Sequence, residues 1–214
     1  MSLTGVLVFA EGFRETTEYV EAYLDLEALA SDPYSRFVYG ESAREVARAL
    51  LTAGAGEFAP PFGQLLVDET TRDPLGMIAG PLQRAELTRA RFKAARTLMG
   101  HPALADGGVI ERSRAAQAAL LTLEEGDAYL SRIAVHPERR GQKIGIRLLE
   151  EFIARARAGG AKRAVLEVSP QHREANALYE RFGFGPRADR AGRADHRVEA
   201  AGRVLEYRHL AMPL

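Results

Sequence analysis

Two arginines, a lysine and two glycines fall within seven residues, Arg139-Arg140-Gly141-Gln142-Lys143-Ile144-Gly145, just where a helical pattern of apolar residues begins. The first amides of a helix have no acceptors within it, and the dipole there favours an anion. Glycine lets a ligand come close to the backbone, and arginine makes charge-assisted bonds to phosphate oxygens. The residue types and their spacing fit a phosphate or pyrophosphate cradle, and they fit equally well a tight turn with solvated arginines. A second candidate is Glu167, which alternates with Leu166 and Val168 on a stretch that reads as an interior strand. An unpaired carboxylate is costly there, so either a functional carboxylate or a paired structural one accounts for it.

The elements that position these residues follow from periodicity. Leu130 to Val135 reads as a strand that ends at His136-Pro137, since proline has no amide for a ladder bond. Ile144, Leu148, Leu149, Phe152, Ile153 and Ala156 recur at helical spacing, and Gly159-Gly160 is a stop. Ala164 to Ser169 is a second strand. A strand–helix–strand unit of this kind makes a right-handed parallel crossover, which sets the class as α/β.

The block from Tyr129 to Phe184 resembles the GNAT superfamily of N-acetyltransferases. The superfamily's Arg/Gln-x-x-Gly-x-Gly/Ala signature is matched by Arg140, Lys143 and Gly145, with lysine where glycine is usual. A downstream N-x-x-A-x-x-L-Y-E-x-x-G-F pattern is matched by His172, Ala175, Leu178, Tyr179, Glu180, Gly183 and Phe184, with histidine in place of asparagine. The resemblance implies a mixed α/β sheet around a central splayed parallel strand pair. It also implies acetyl-CoA as cosubstrate, with its pyrophosphate on the Arg140-Gly141-Gln142-Lys143-Ile144-Gly145 turn. Pantetheine and the thioester carbonyl fall to strand amides around Ile133, Ala134 and Val135, and His172 takes the place of a polar contact.

Tyr179 is implied as the acid that serves the leaving thiolate, although Ala175, Leu178, Tyr179 and Phe182 also form one apolar stripe in which a tyrosine simply packs. Glu167 resembles the glutamate of ribosomal-protein N-terminal acetyltransferases that acts as base, and Ser131, Tyr129 and Asp127 are reserves. The reaction implied is transfer of acetyl to a primary amine, either a small amine or a peptide N-terminus, by direct attack. The alternative is a catalytically weak acyl-CoA-binding regulatory or scaffold protein of the same fold. A homodimer is a family-based expectation.

The chain of 214 residues reads as one domain, with its coenzyme-binding core at about 128–184. Lys plus Arg and Asp plus Glu number 29 each, so net charge makes no case for nucleic acid or an anionic membrane. The absence of cysteine excludes disulfides, thiolate metal sites and a cysteine nucleophile, and the five histidines show no metal-ligand spacing. No apolar run spans a bilayer, and Met1 to Ala10 lacks a basic signal-peptide start, so a cytoplasmic protein is expected.

Thr4 to Ala10 reads as a strand and Glu11 to Ala30 as an acidic amphipathic helix, whose carboxylates either form a solvated face or rim the acceptor slot. Ser42 to Glu45 fits a capping box. Phe62 to Glu69 and Leu75 to Leu82 read as strands, and Arg203 to Leu214 as the last. Between them, residues 84–126 form a helical insertion, with helices over Ala85 to Leu98 and Ile110 to Leu123. Its basic residues Arg84, Arg89, Arg91, Lys93 and Arg96 either form a solvated face or contact phosphate or a partner.

Overall fold

The computed structural model describes residues 7–9, 12–60 and 62–214. In chain order it contains β1 (Leu7–Phe9), α1 (Thr17–Ser31), α2 (Tyr34–Tyr39), α3 (Ala43–Thr52), β2 (Gly63–Asp68), β3 (Pro74–Ala79), α4 (Arg84–Leu98), α5 (Gly107–Ala119), β4 (Asp127–Tyr129) and β5 (Arg132–Val135). These are followed by α6 (Ile144–Ala158), β6 (Arg163–Val168), α7 (Arg173–Phe182), β7 (Gly185–Pro186), β8 (Asp195–Ala200) and β9 (Arg203–Pro213). Of the first expected strand, Thr4, Gly5, Val6 and Ala10 lie outside the described residues, as does Glu11 at the start of the first expected helix.

The strands form two sheets. One runs β1-β2-β3-β5 and is antiparallel; the other runs β4-β6-β9-β7, with β8 on β9. Strands β4 and β6 pair in parallel over Asp127↔Arg163 to Tyr129↔Val165. The expected strand over Leu130–Val135 is therefore shortened to β5 at Arg132–Val135 in the first sheet, and the parallel pairing with β6 is made by β4 just before it, at Asp127–Tyr129. The switch takes one residue: the Leu130 amide bonds the Val165 carbonyl at 2.9 Å, and the Ser131 amide bonds Ala79 on the other sheet at 2.9 Å. Gly80 makes this close crossing possible, because a Cβ there would collide with the Tyr129 carbonyl. Beyond the switch, β5 and the end of β6 belong to different sheets, and the parallel pair is splayed as the family resemblance implied.

Alternation along the strands builds a core on each side of the first sheet. Leu65, Val67, Met77, Ala79 and Ala134 pack with α1 and α3, while Leu66 and Ile78 pack with α6 through Ile144, Leu148 and Phe152. A third cluster joins Phe37 and Val38 of α2 to Val109 and Ala116 of α5 and to Leu205 and Tyr207 of β9.

Three local expectations change. Ser42 makes no side-chain cap; it ends a short 3-10 turn over Gly40–Ser42, and the capping box forms instead between Gln83 and Glu86 at the start of α4. Helix α2 and strand β8 emerge from stretches that carry no clear period. The acidic residues expected along α1 divide: Glu21 and Asp25 meet Arg44 and Arg48 of α3 at 2.5 to 3.0 Å, and Glu27 is buried against Arg132. Glu15 and Glu18 are exposed, and Asp32 just after the helix lines the site, as one of the two readings of this face expected.

Candidate active site

The splay leaves backbone groups of β5 facing a gap. In an antiparallel pair the residues of one strand alternate between facing the partner and facing away. The His136 amide bonds the Leu75 carbonyl at 2.9 Å, and the register pairs Ala134 with Met77. Residues 132, 134 and 136 therefore face β3, and the amides of Ile133 and Val135 point into the gap. The amide of Ala134, grouped with them in the sequence, is turned to β3 instead.

The same gap receives the start of α6. Gly141 and Lys143 both adopt left-handed backbone conformations, with φ of 78° and 63°. That is routine for glycine and unusual for lysine. The first bond inside the helix is from the Arg147 amide to the Lys143 carbonyl at 3.2 Å, so the amides of Ile144, Gly145 and Ile146 have no acceptor within the helix.

A groove of about 1210 Å³ runs along this surface. Of the residues singled out from the sequence, Ile133, Ala134, Val135, Arg140, Gly141, Lys143, Ile144, Gly145, His172 and Tyr179 line it; Gln142 and Glu167 do not. Gln142 instead carries a buried side-chain oxygen with no partner among the described residues. Arg140 is half exposed and reaches Glu174 only at 4.0 Å, whereas Arg139 is held by Asp73 at 2.9 Å.

At its inner end the groove meets a cavity of about 90 Å³, and Ile133, His172, Ala175 and Tyr179 line both. Glu167 lies on the cavity wall. Its two oxygens accept from the Leu121 amide at 2.6 Å and from the Tyr129 hydroxyl at 2.5 Å. Burial pushes the Glu167 carboxyl above its ordinary value, and these two bonds oppose the rise.

Tyr179 is buried against Phe184, with ring centroids 5.6 Å apart, and its hydroxyl has no hydrogen-bond partner among the described residues. Burial also raises its phenol, which stays protonated at neutral pH. His172 precedes α7 without capping it, while the Asn176 side chain donates to the Ser169 and His172 carbonyls at 3.0 and 2.8 Å.

Of the reserve residues, Ser131 and Tyr129 line the cavity and Asp127 does not. Asp127 is buried between Arg163 and Arg187, each at 2.8 Å, so it anchors the start of β4 and is in no position to take a proton from an acceptor.

The sequence did not single out Glu57, Tyr34 or Tyr207, which also line the cavity, nor the buried pair of Glu27 and Arg132, 3.4 Å apart, beside it. Arg91, noted only as part of a basic face, is bonded to Glu57 at 3.0 Å. None of the basic residues of α4, Arg91 included, lines either space; Arg91 reaches the cavity wall only through Glu57. Among the described residues, no group of three or more His, Cys, Asp or Glu could hold a metal ion, and no helix is long and apolar enough to cross a membrane.

A sheet split at a parallel pair, with a helix N-terminus set into the split, defines the GNAT class of fold. The model of the acetyltransferase (GNAT) family matches residues 26–184, and the chain belongs to that family. A Bacillus subtilis (strain 168) protein assigned as a ribosomal-protein bS18-alanine N-acetyltransferase is 37% identical over 60 residues, which span 28% of this chain and 40% of that protein. A structure from Acinetobacter baylyi ADP1, assigned as an acetyltransferase, superposes with a TM-score of 0.58 at 16% identity, covering 100% of this chain and 95% of that one. The NatC complex bound to Gag peptide and CoA gives a TM-score of 0.51 at 17% identity, covering 100% and 98%.

Proposed function

We propose that the protein is an N-acetyltransferase that moves an acetyl group from acetyl-CoA to a primary amine by direct attack in a ternary complex. The observation that carries this reading is the continuity of the groove. It runs from the basic start of α6, past the free amides of Ile133 and Val135, to a cavity walled by Glu57 and Glu167.

The donor set fits the cosubstrate. Arg140 and Lys143, with the first amides of α6, suit a pyrophosphate. The amides in the gap suit pantetheine and the thioester carbonyl, whose oxygen gains negative charge as the amine attacks. The same fold holds CoA in the NatC complex.

An alkylammonium with a pKa of about 10.4 must first lose a proton, and Glu167, its affinity for protons raised by burial, receives it. The amine lone pair then forms the C–N bond as the C–S bond breaks. Tyr179, held protonated, hydrogen-bonds the departing sulfur and passes it a proton, while the second proton of the attacking nitrogen, lost as the amide forms, restores the phenol; the thiol released has a pKa of about 8.5.

Calorimetry with acetyl-CoA tests the reading, with an Arg140→Ala, Gly145→Glu variant beside the wild type. Micromolar binding that the variant loses, together with amine-dependent release of CoA thiol, is the expected result. Binding without thiol release favours the acyl-CoA-binding regulatory alternative, for which lysine in the strained position 143 is the supporting observation. A folded wild type that binds no acetyl-CoA overturns both.

A further inference from the structure

The cavity beyond Tyr179 is closed at the back, and the closure is specific. Arg203 of β9 donates to the Arg36 and Phe37 carbonyls at 2.7 and 3.2 Å, which ties α2 to the β8–β9 hairpin. Arg112 of α5 donates to the Val38 carbonyl at 2.9 Å and pairs with Asp106 at 2.7 Å. The apolar cluster that joins α2, α5 and β9 fills the space between these two arginines. Leu120, the residue after α5, completes the wall, and the next amide holds Glu167. The segment between β3 and β4 thus seals the acceptor side of the site.

Resting on the acetyl-transfer reading, we infer that this is a blind pocket for a compact primary amine without a carboxylate, and that Tyr34 and Tyr207 bind a polar group at the amine's far end. Size is the first ground. A space of roughly 10–15 Å³ holds one water by this kind of measure, so about 90 Å³ takes on the order of six to nine non-hydrogen atoms. A peptide needs a second opening for the chain beyond its first residues, and behind Tyr34, Leu120 and Tyr207 the cavity is backed by the apolar cluster of α2, α5 and β9.

Charge is the second ground. Arg132 on the cavity wall is paired with Glu27, and Arg91 behind it is paired with Glu57 and keeps one buried nitrogen without a partner among the described residues; an acceptor carboxylate would meet Glu57 and Glu167 on the wall itself. The third ground is hydrogen bonding. Tyr34 and Tyr207 both line the cavity, and neither hydroxyl has a partner among the described residues. Burial and the neighbouring Glu57 keep both phenols protonated, and so able to donate. Unpartnered hydroxyls on a cavity wall reward a ligand that pairs with them and penalise one that displaces their solvent without doing so.

The test is release of CoA thiol with three sets of acceptors. These are primary alkylamines and amino alcohols of up to about nine non-hydrogen atoms, amino acids of the same size, and short peptides with free amino termini. Turnover of compact amines at least about tenfold above the other two sets is expected, highest where a hydroxyl or amide sits at the far end. Tyr34→Phe and Tyr207→Phe, which preserve the packing, are each expected to raise KM for the preferred amine several-fold and leave the affinity for acetyl-CoA in place.

Equal or faster turnover of peptides or amino acids overturns the inference, as does an unchanged amine KM in both variants. Tight acetyl-CoA binding with no turnover of any compact amine also overturns it while leaving the coenzyme site intact. Failure to bind acetyl-CoA strikes the underlying reading instead.

Discussion

Tyr129 and Glu167 meet across the parallel strand pair, one residue before the pair splays, with the tyrosine hydroxyl donating to the carboxylate at 2.5 Å. Burial raises the proton affinity of Glu167, and this bond lowers it again. Tyr129→Phe removes the opposing contribution, so the carboxyl titrates at higher pH. The acidic limb of kcat/KM against pH is expected to move upward in this variant, with the plateau rate largely kept. Glu167→Gln is expected to abolish that limb and to lower kcat by about 10²- to 10⁴-fold. An acidic limb that stays in place in both variants removes Glu167 from the role of base.

Tyr179 lines both the groove and the cavity and leans on Phe184. Phenylalanine at this position keeps the ring contact and loses only the hydroxyl. Tyr179→Phe is expected to retain the melting temperature and the acetyl-CoA affinity while kcat falls by about 10²-fold. If kcat is kept, the tyrosine is a packing residue, as its place on the apolar stripe of α7 also allows.

The contrast between these residues and their neighbours shows what local sequence carries. The strand, turn, helix and strand from Tyr129 to Val168 are legible because each is fixed by short-range periodicity and by glycine and proline punctuation. The splay is not, because residues 130–135 are apolar enough overall to read as one strand, and the switch of partner depends on Gly80, 50 residues upstream of Leu130 in the chain. The cavity wall is the least legible part. Arg112 and Val38 are 74 residues apart, and Leu121 and Glu167 are 46 apart, so no window of the sequence contains either pair. One signal was available. Glu21 and Asp25 stand four apart on α1, Arg44 and Arg48 stand four apart on α3, and matching charge ladders of that kind predict facing helices.

Lys143 illustrates a departure whose physical meaning appears only with the backbone. Its φ of 63° is the left-handed conformation that glycine adopts freely and that costs an L-residue roughly 1–2 kcal/mol. Lys143→Gly relieves that cost, partly offset by the greater freedom of glycine in the unfolded chain, and is expected to raise stability to urea by about 0.5–1 kcal/mol. It also removes a cation from the groove. Acetyl-CoA affinity is expected to fall several-fold at low salt, with the difference shrinking as salt is added. Lys143→Ala separates the two effects, since it loses the charge and keeps the strained backbone. A glycine variant no more stable than the alanine variant counts against strain at this turn.

His209 gives the fold a dependence on pH that is separate from the site. Its Nε2 donates to the Ala119 carbonyl at 2.8 Å, and its ring stacks on His196 with centroids 4.0 Å apart. Burial is the main cause that lowers its pKa to about 4; His196 and Arg187 add to the shift, while the Ala119 bond and Asp189 oppose it. In the unfolded chain a histidine takes up its proton near pH 6.5. Between those values the unfolded state binds more protons than the folded state, so stability rises with pH. The contribution is fully present above about pH 6.5 and is lost as pH falls towards about 4. Urea midpoints for the wild type and for His209→Gln, which keeps a donor for Ala119, check this from about pH 7 down to about pH 4. The wild type is expected to lose more stability than the variant across that window, since the carboxylates that titrate in or near it are common to both. Parallel curves place the acid sensitivity of the fold elsewhere than at His209.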